Sequence, residues 1–107
     1  MSPSHFAPTS LQAQAPQELT ASNAAAFRDQ MIKLLDEEPK VLEIDMSRTT
    51  FLDSSGLGAL VGLQKTASRW QGSLTLLNPL PAVRQIIELT RLNRLFNVVN
   101  TPSNAAA

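Results

Sequence analysis

Apolar and polar residues alternate along this chain at two different periods, and the changes of period outline its elements. Leu11, Ala13 and Ala15 alternate with Gln12 and Gln14, the period-two signature of a strand with one buried face, which Pro16 ends. From Ala24 the positions Ala24, Phe27, Met31, Leu34 and Leu35 recur at intervals of three and four, which predicts a helix with one buried stripe. Thr20 or Ser22 is the expected cap at its start, and Glu38 before Pro39 is forced out of helical geometry at its end. Val41-Leu42-Glu43-Ile44-Asp45-Met46 predicts a central strand, followed by a turn at residues 47–50. Phe51 to Gly56 leads into a second helix with Leu57, Leu60, Val61 and Ala67 on one face, closed by Gly72 as its C-terminal cap. Ser73 to Leu77 is a strand with Leu74 and Leu76 on one side, and Pro81 is suited to the first position of a third helix carrying Val83, Ile86 and Ile87 inward. Leu92, Leu95 and Phe96 fit a short turn packed on the core, and Asn97-Val98-Val99 a last edge strand.

Strands therefore alternate with helical crossovers, and crossovers of that length join parallel neighbours in one sheet. The fold class expected from periodicity is α/β. Residues 1–9 and 101–107 are rich in proline and small polar residues, which predicts two mobile tails around one domain over residues 10–100.

Composition narrows the functional classes. A length of 107 residues suits a single core, and with aromatics at 5% that core must be aliphatic. The formal net charge of +0 supplies no field toward phosphates, so direct nucleic-acid binding is not expected. With no cysteine, disulfides, thiolate nucleophiles and thiolate metal sites drop out. Neither a basic segment followed by an apolar run nor a long apolar stretch occurs, so the expectation is a cytoplasmic protein without membrane insertion.

Enzymatic chemistry finds little to work with. Ser54 sits at a strand-to-helix turn, like the nucleophile of Gly-x-Ser-x-Gly hydrolases, but Leu52-Asp53-Ser54-Ser55-Gly56 lacks the first glycine, and the single histidine, His5, falls in the amino-terminal tail. Gly56, Gly58 and Gly62 are not followed by the Lys-Ser or Lys-Thr pair of a phosphate loop. The expected role of Gly58 and Gly62 is close approach by a neighbouring element. Asp36, Glu37 and Glu38 read as a solvated run, Arg84, Arg91 and Arg94 as an exposed helix face, and Trp70 as a partly buried helix-end residue. No catalytic residue, metal ligand or cofactor is expected.

Phe51-Leu52-Asp53-Ser54-Ser55-Gly56-Leu57-Gly58 resembles the signature of STAS domains of the anti-sigma factor antagonist family, in which a strand ends in Asp-Ser-Ser-Gly and runs into the second helix. The strand from Val41 to Met46 and the stretch from Ile86 to Val99 are similar to the same family's central strand and last helix. The resemblance implies a single mixed, mainly parallel sheet with helices packed against it. It also implies a protein-binding switch: the first serine, here Ser54, is phosphorylated by a serine kinase that doubles as the anti-sigma factor, and a serine phosphatase removes the phosphate. The partner surface implied comprises Asp53, Ser54, Ser55, Gly56 and Leu57, with Thr20 in the loop before the first helix. The hydroxyl of Ser55 is expected to be spent on capping. Other STAS subunits dock in stress-signalling or lipid-transport complexes without sigma-factor control, which is the alternative reading. Two departures stand out. Where the family opens with two strands, only residues 10–15 read as one, so the first is expected to be missing or very short. In place of Gly-Glu-Leu-Asp the chain has Gln17-Glu18-Leu19-Thr20.

Overall fold

A computed structural model describes residues 9–101 of the chain. In order these form β1 (Thr9–Gln14), β2 (Glu18–Leu19), α1 (Ala24–Leu35), β3 (Lys40–Asp45), β4 (Phe51–Leu52), α2 (Ser54–Arg69), β5 (Ser73–Leu77), α3 (Pro81–Leu89), a 3-10 turn (Leu92–Arg94) and β6 (Asn97–Val99). The main sheet has the order β1-β3-β5-β6, β2 pairs with β4 apart from it, and each of these pairings is parallel. The α/β class and the parallel sheet stand. Strand β1 is the strand that residues 10–15 led one to expect, and the short β2 was not anticipated; whether a further strand precedes β1 lies outside the described residues. Two residues cannot display a period, so β2 left no pattern to read. It is held by its neighbours: Thr49 Oγ1 donates to the Pro16 carbonyl at 2.8 Å and the Thr50 N–H to the Gln17 carbonyl at 2.8 Å, while Leu19 is 0% exposed.

Thr9 already belongs to β1, and the Thr101 N–H donates to Asn78 Oδ1 at 2.7 Å. The remainder of both expected tails, and His5 with it, lies outside the described residues.

One core unites the sheet with all three helices. It contains Leu42, Ile44, Leu74 and Leu76 from β3 and β5, Phe27, Met31 and Leu35 from α1, Leu60 and Leu63 from α2, and Val83 and Ile87 from α3. These strand residues belong to one alternating set, so they share one face of the sheet. Strand order β1-β3-β5-β6 steps always in one direction, and right-handed crossovers that do so bring every helix to the same side. The opposite face carries a polar row, in which register aligns Gln12, Glu43, Thr75 and Asn97 across the four strands and Gln12 Nε2 donates to Glu43 Oε1 at 3.2 Å, next to the apolar pair Leu77 and Val99. Leu34 and Leu95, expected inward, are 43% and 39% exposed. Both lie at the margin of their apolar stripes.

Several end signals are also redistributed. The cap position of α1 is Asn23 rather than Thr20 or Ser22, and α1 ends at Leu35 with Asp36 and Glu37 left-handed at φ 52° and 55°. At the end of α2 the left-handed residue is Gln71, φ 68°, whereas Gly72 is needed because a Cβ there would collide with the backbone of Lys40. Nothing crowds Gly58, and Gly62 meets only the flexible Arg28 Cδ, 3.4 Å from where its Cβ would be, so the close-approach reading fails for both. Helix α1 does pack on α2, but neither glycine is held to a missing side chain by that contact.

Candidate functional site

The residues around Ser54 are placed by the junction between the β2–β4 pair and α2. Strand β4 buries Leu52 and turns Phe51 outward, 52% exposed, and the chain enters α2 through Asp53, whose extended backbone suits an N-cap. Asp53 Oδ1 accepts the Gly56 N–H at 2.9 Å, and Oδ2 accepts the Ala21 N–H from the β2–α1 loop at 3.1 Å. The Gly56 N–H is the main cause holding this carboxyl below its ordinary range; partial desolvation opposes it and the Ala21 N–H assists. Its backbone is fixed as well, the Asp53 N–H donating to the Leu19 carbonyl at 3.3 Å and its own carbonyl accepting the Leu57 N–H at 2.9 Å.

Ser54 is the first residue of α2, and both Ser54 and Ser55 are exposed. The expectation that Ser55 caps the helix is corrected: the capping oxygen is that of Asp53, because a carboxylate one residue before the helix reaches the third amide directly. Gly56 is buried, since a Cβ there would overlap the Leu19 carbonyl and approach Leu52 Cδ1 to 2.7 Å. Leu57 is half-buried against the core.

Thr20 reaches this site through its loop. Its N–H donates to Asn23 Oδ1 at 2.9 Å, its Oγ1 lies 3.0 Å from Ser22 Oγ, and Asn23 Nδ2 donates to the Glu18 carbonyl at 2.8 Å. The Ala21–Asp53 bond then carries the loop to the start of α2. The predicted residues are brought together in two segments, residues 53–57 and the loop holding Thr20, with Gly56 buried beneath them rather than on the surface. Ala21 and Asn23 complete the site, and sequence reasoning missed both. Asn23 was legible as a cap-forming residue type, whereas Ala21 contributes only an amide that every residue has.

Between α1 and α2 lies an open groove of about 340 Å³ with Ala21, Ala25 and Arg28 on one wall and Ser55 and Gly58 on the other. A larger depression of about 570 Å³ lies by Gln14, Gln17 and Arg48. Among the described residues no three His, Cys, Asp or Glu side chains converge, and no helix is long and apolar enough to cross a membrane.

The order of these elements around an Asp-Ser-Ser-Gly helix start has a counterpart among known proteins: the family model described as the STAS domain matches residues 9–105. The chain belongs to that family. This STAS domain is 28% identical over 83 residues to the anti-sigma-B factor antagonist of Listeria monocytogenes, covering 78% of this chain and 73% of that protein. Its structure resembles the Thermotoga maritima protein TM1081, with TM-score 0.77 and 26% identity over 91% of this chain and 78% of that one. It also resembles the anti-sigma factor antagonist SpoIIAA in its unphosphorylated form, with TM-score 0.75 and 21% identity over 92% and 84% of the two chains, a likeness of fold. The phosphorylated form of SpoIIAA from Bacillus matches with TM-score 0.68, again at 21% identity, over 91% of this chain and 86% of that one.

Proposed function

We propose that this STAS domain is an anti-sigma factor antagonist, a non-enzymatic switch that binds a serine kinase acting as anti-sigma factor while Ser54 is unmodified and lets go once Ser54 is phosphorylated. The observation that carries this reading is the position of Ser54, exposed on the first turn of α2 beside a carboxylate whose oxygens are both engaged. A helix start carries partial positive charge, so a phosphate of about two negative charges on Ser54 is accommodated without unfolding the domain even with the Asp53 carboxylate on the Gly56 N–H. A partner surface packed against a neutral hydroxyl would instead meet a new anion, unfavourable by several kcal/mol if desolvated without a counter-charge. Binding is therefore lost while the fold is kept. A serine phosphatase would reset the switch.

Incubation with a cognate serine kinase and ATP, followed by peptide mapping, tests the assignment. Phosphate is expected on Ser54 alone; Ser54→Ala should fold, bind the kinase and resist modification, and Ser54→Asp should fold and bind more weakly. Modification of Ser55 or Thr50 with Ser54 untouched would refute the site, and tight kinase binding by Ser54→Asp would refute the release step. A partner that docks on this surface with no kinase activity would favour a docking subunit instead.

A further inference from the structure

We propose that Asp53 acts as a latch: its carboxylate holds the β2–α1 loop against the start of α2, so that Thr20 to Ser22 and Ser54 present one fixed surface. The two oxygens serve different elements, Oδ1 the Gly56 N–H of α2 at 2.9 Å and Oδ2 the Ala21 N–H of the loop at 3.1 Å. The loop's other hydrogen bonds are internal, reach back to β2 or run forward into α1: the Thr20 N–H to Asn23 Oδ1, the Ser22 N–H to Thr20 Oγ1 at 3.3 Å, Asn23 Nδ2 to the Glu18 carbonyl, and the Ala24 and Phe27 N–H groups to the Thr20 and Asn23 carbonyls at 2.8 and 2.9 Å. Among the described residues, the Ala21–Asp53 bond is the hydrogen bond that joins residues 20–23 to the start of α2. A charge-assisted bond at this point does what several neutral contacts would otherwise have to do. Both carboxylate oxygens are engaged by these donors, so the loop they position belongs to the surface that a partner meets.

Asparagine separates the two attachments. It is as good an N-cap as aspartate, so its single acceptor oxygen keeps the Gly56 N–H, while its amide group turns a donor toward the Ala21 N–H, itself a donor. In ¹⁵N-labelled full-length Asp53→Asn the Ala21 amide is expected to exchange with deuterium roughly tenfold faster while Gly56 stays within about twofold of the wild type. Asp53→Ala should speed both. Unchanged Ala21 exchange in Asp53→Asn, or equal loss at Ala21 and Gly56, would overturn the latch.

The consequence for binding rests on the kinase reading above. Asp53→Asn should weaken kinase binding about fivefold or more while Ser54 still reaches full occupancy at saturating kinase, since the loop, not the acceptor hydroxyl, has moved. Faster Ala21 exchange with unaltered kinase affinity would overturn the presenting role. If the wild type itself is not a kinase substrate, the functional reading fails, and the exchange comparison still decides the latch.

Discussion

Asp53 accepts from two amides that belong to different elements, so protonating it removes the charge that strengthens both attachments. Its folded-state pKa lies below the ordinary 3.8, chiefly through the Gly56 N–H. A carboxyl with a depressed folded pKa contributes its stabilisation fully above the unfolded value, and the contribution fades as pH falls through the folded one. Both attachments should therefore be at full strength at neutral pH and weakened only in acid. Following the Ala21 and Gly56 amide shifts from pH 7 to 2 should give one common midpoint below that of a free aspartate; a midpoint at or above it would contradict the bonding described. Asp53 has the residue type and position of a cap, although capping was expected of Ser55. Its second partner was not legible in the sequence, since Ala21 donates through its backbone and comes from a loop 32 positions away along the chain.

At the scale of elements, the glycines of α2 divide into those that geometry requires and those it does not. Gly56 leaves no room for a side chain against Leu19 and Leu52, whereas Gly58 faces open space. Gly58→Ala should stabilise the domain by about 0.5–1 kcal/mol, the difference in helix propensity and backbone entropy, whereas Gly56→Ala should destabilise it. Thermal unfolding of the two variants checks both signs. Sequence spacing alone pointed the other way, toward Gly58 and Gly62, because a one-turn interval shows that two glycines share a helix face but not whether anything lies across from it. The long elements were legible because each buries a stripe with its own period: Phe27, Met31 and Leu35 on α1, and Leu74 with Leu76 on β5. Strand β2 was not, having too few residues to carry one, and neither was Gln71, whose left-handed φ replaces the glycine that residue preference favours.

The whole molecule stacks three helices on one face of a parallel sheet, where parallel sheets are usually covered on both. Helical crossovers made parallel pairing predictable; the order β1-β3-β5-β6, and with it the one-sidedness, depends on the direction of each step, which periodicity does not encode. The two faces should respond differently to truncation. Leu60→Ala on the covered side should cost about 2–5 kcal/mol through lost burial and the cavity left behind. Gln12→Ala on the polar side should stay within about 0.5 kcal/mol. Denaturant midpoints of the two variants measure the contrast.

Parallel strands also give the domain two unlike poles. Every strand of the main sheet starts at one pole and finishes at the other, and the crossover helices begin where the strands finish. Thr9 therefore enters at the far pole, while Ser54, at the head of α2, shares the near pole with Thr101, clasped to Asn78 just past β5. An immobilising tether or fluorophore joined ahead of Thr9 would leave the Ser54 end open to a large protein. The same attachment joined after Thr101 would emerge at that end and crowd it, so orientation on a sensor surface becomes a choice of terminus.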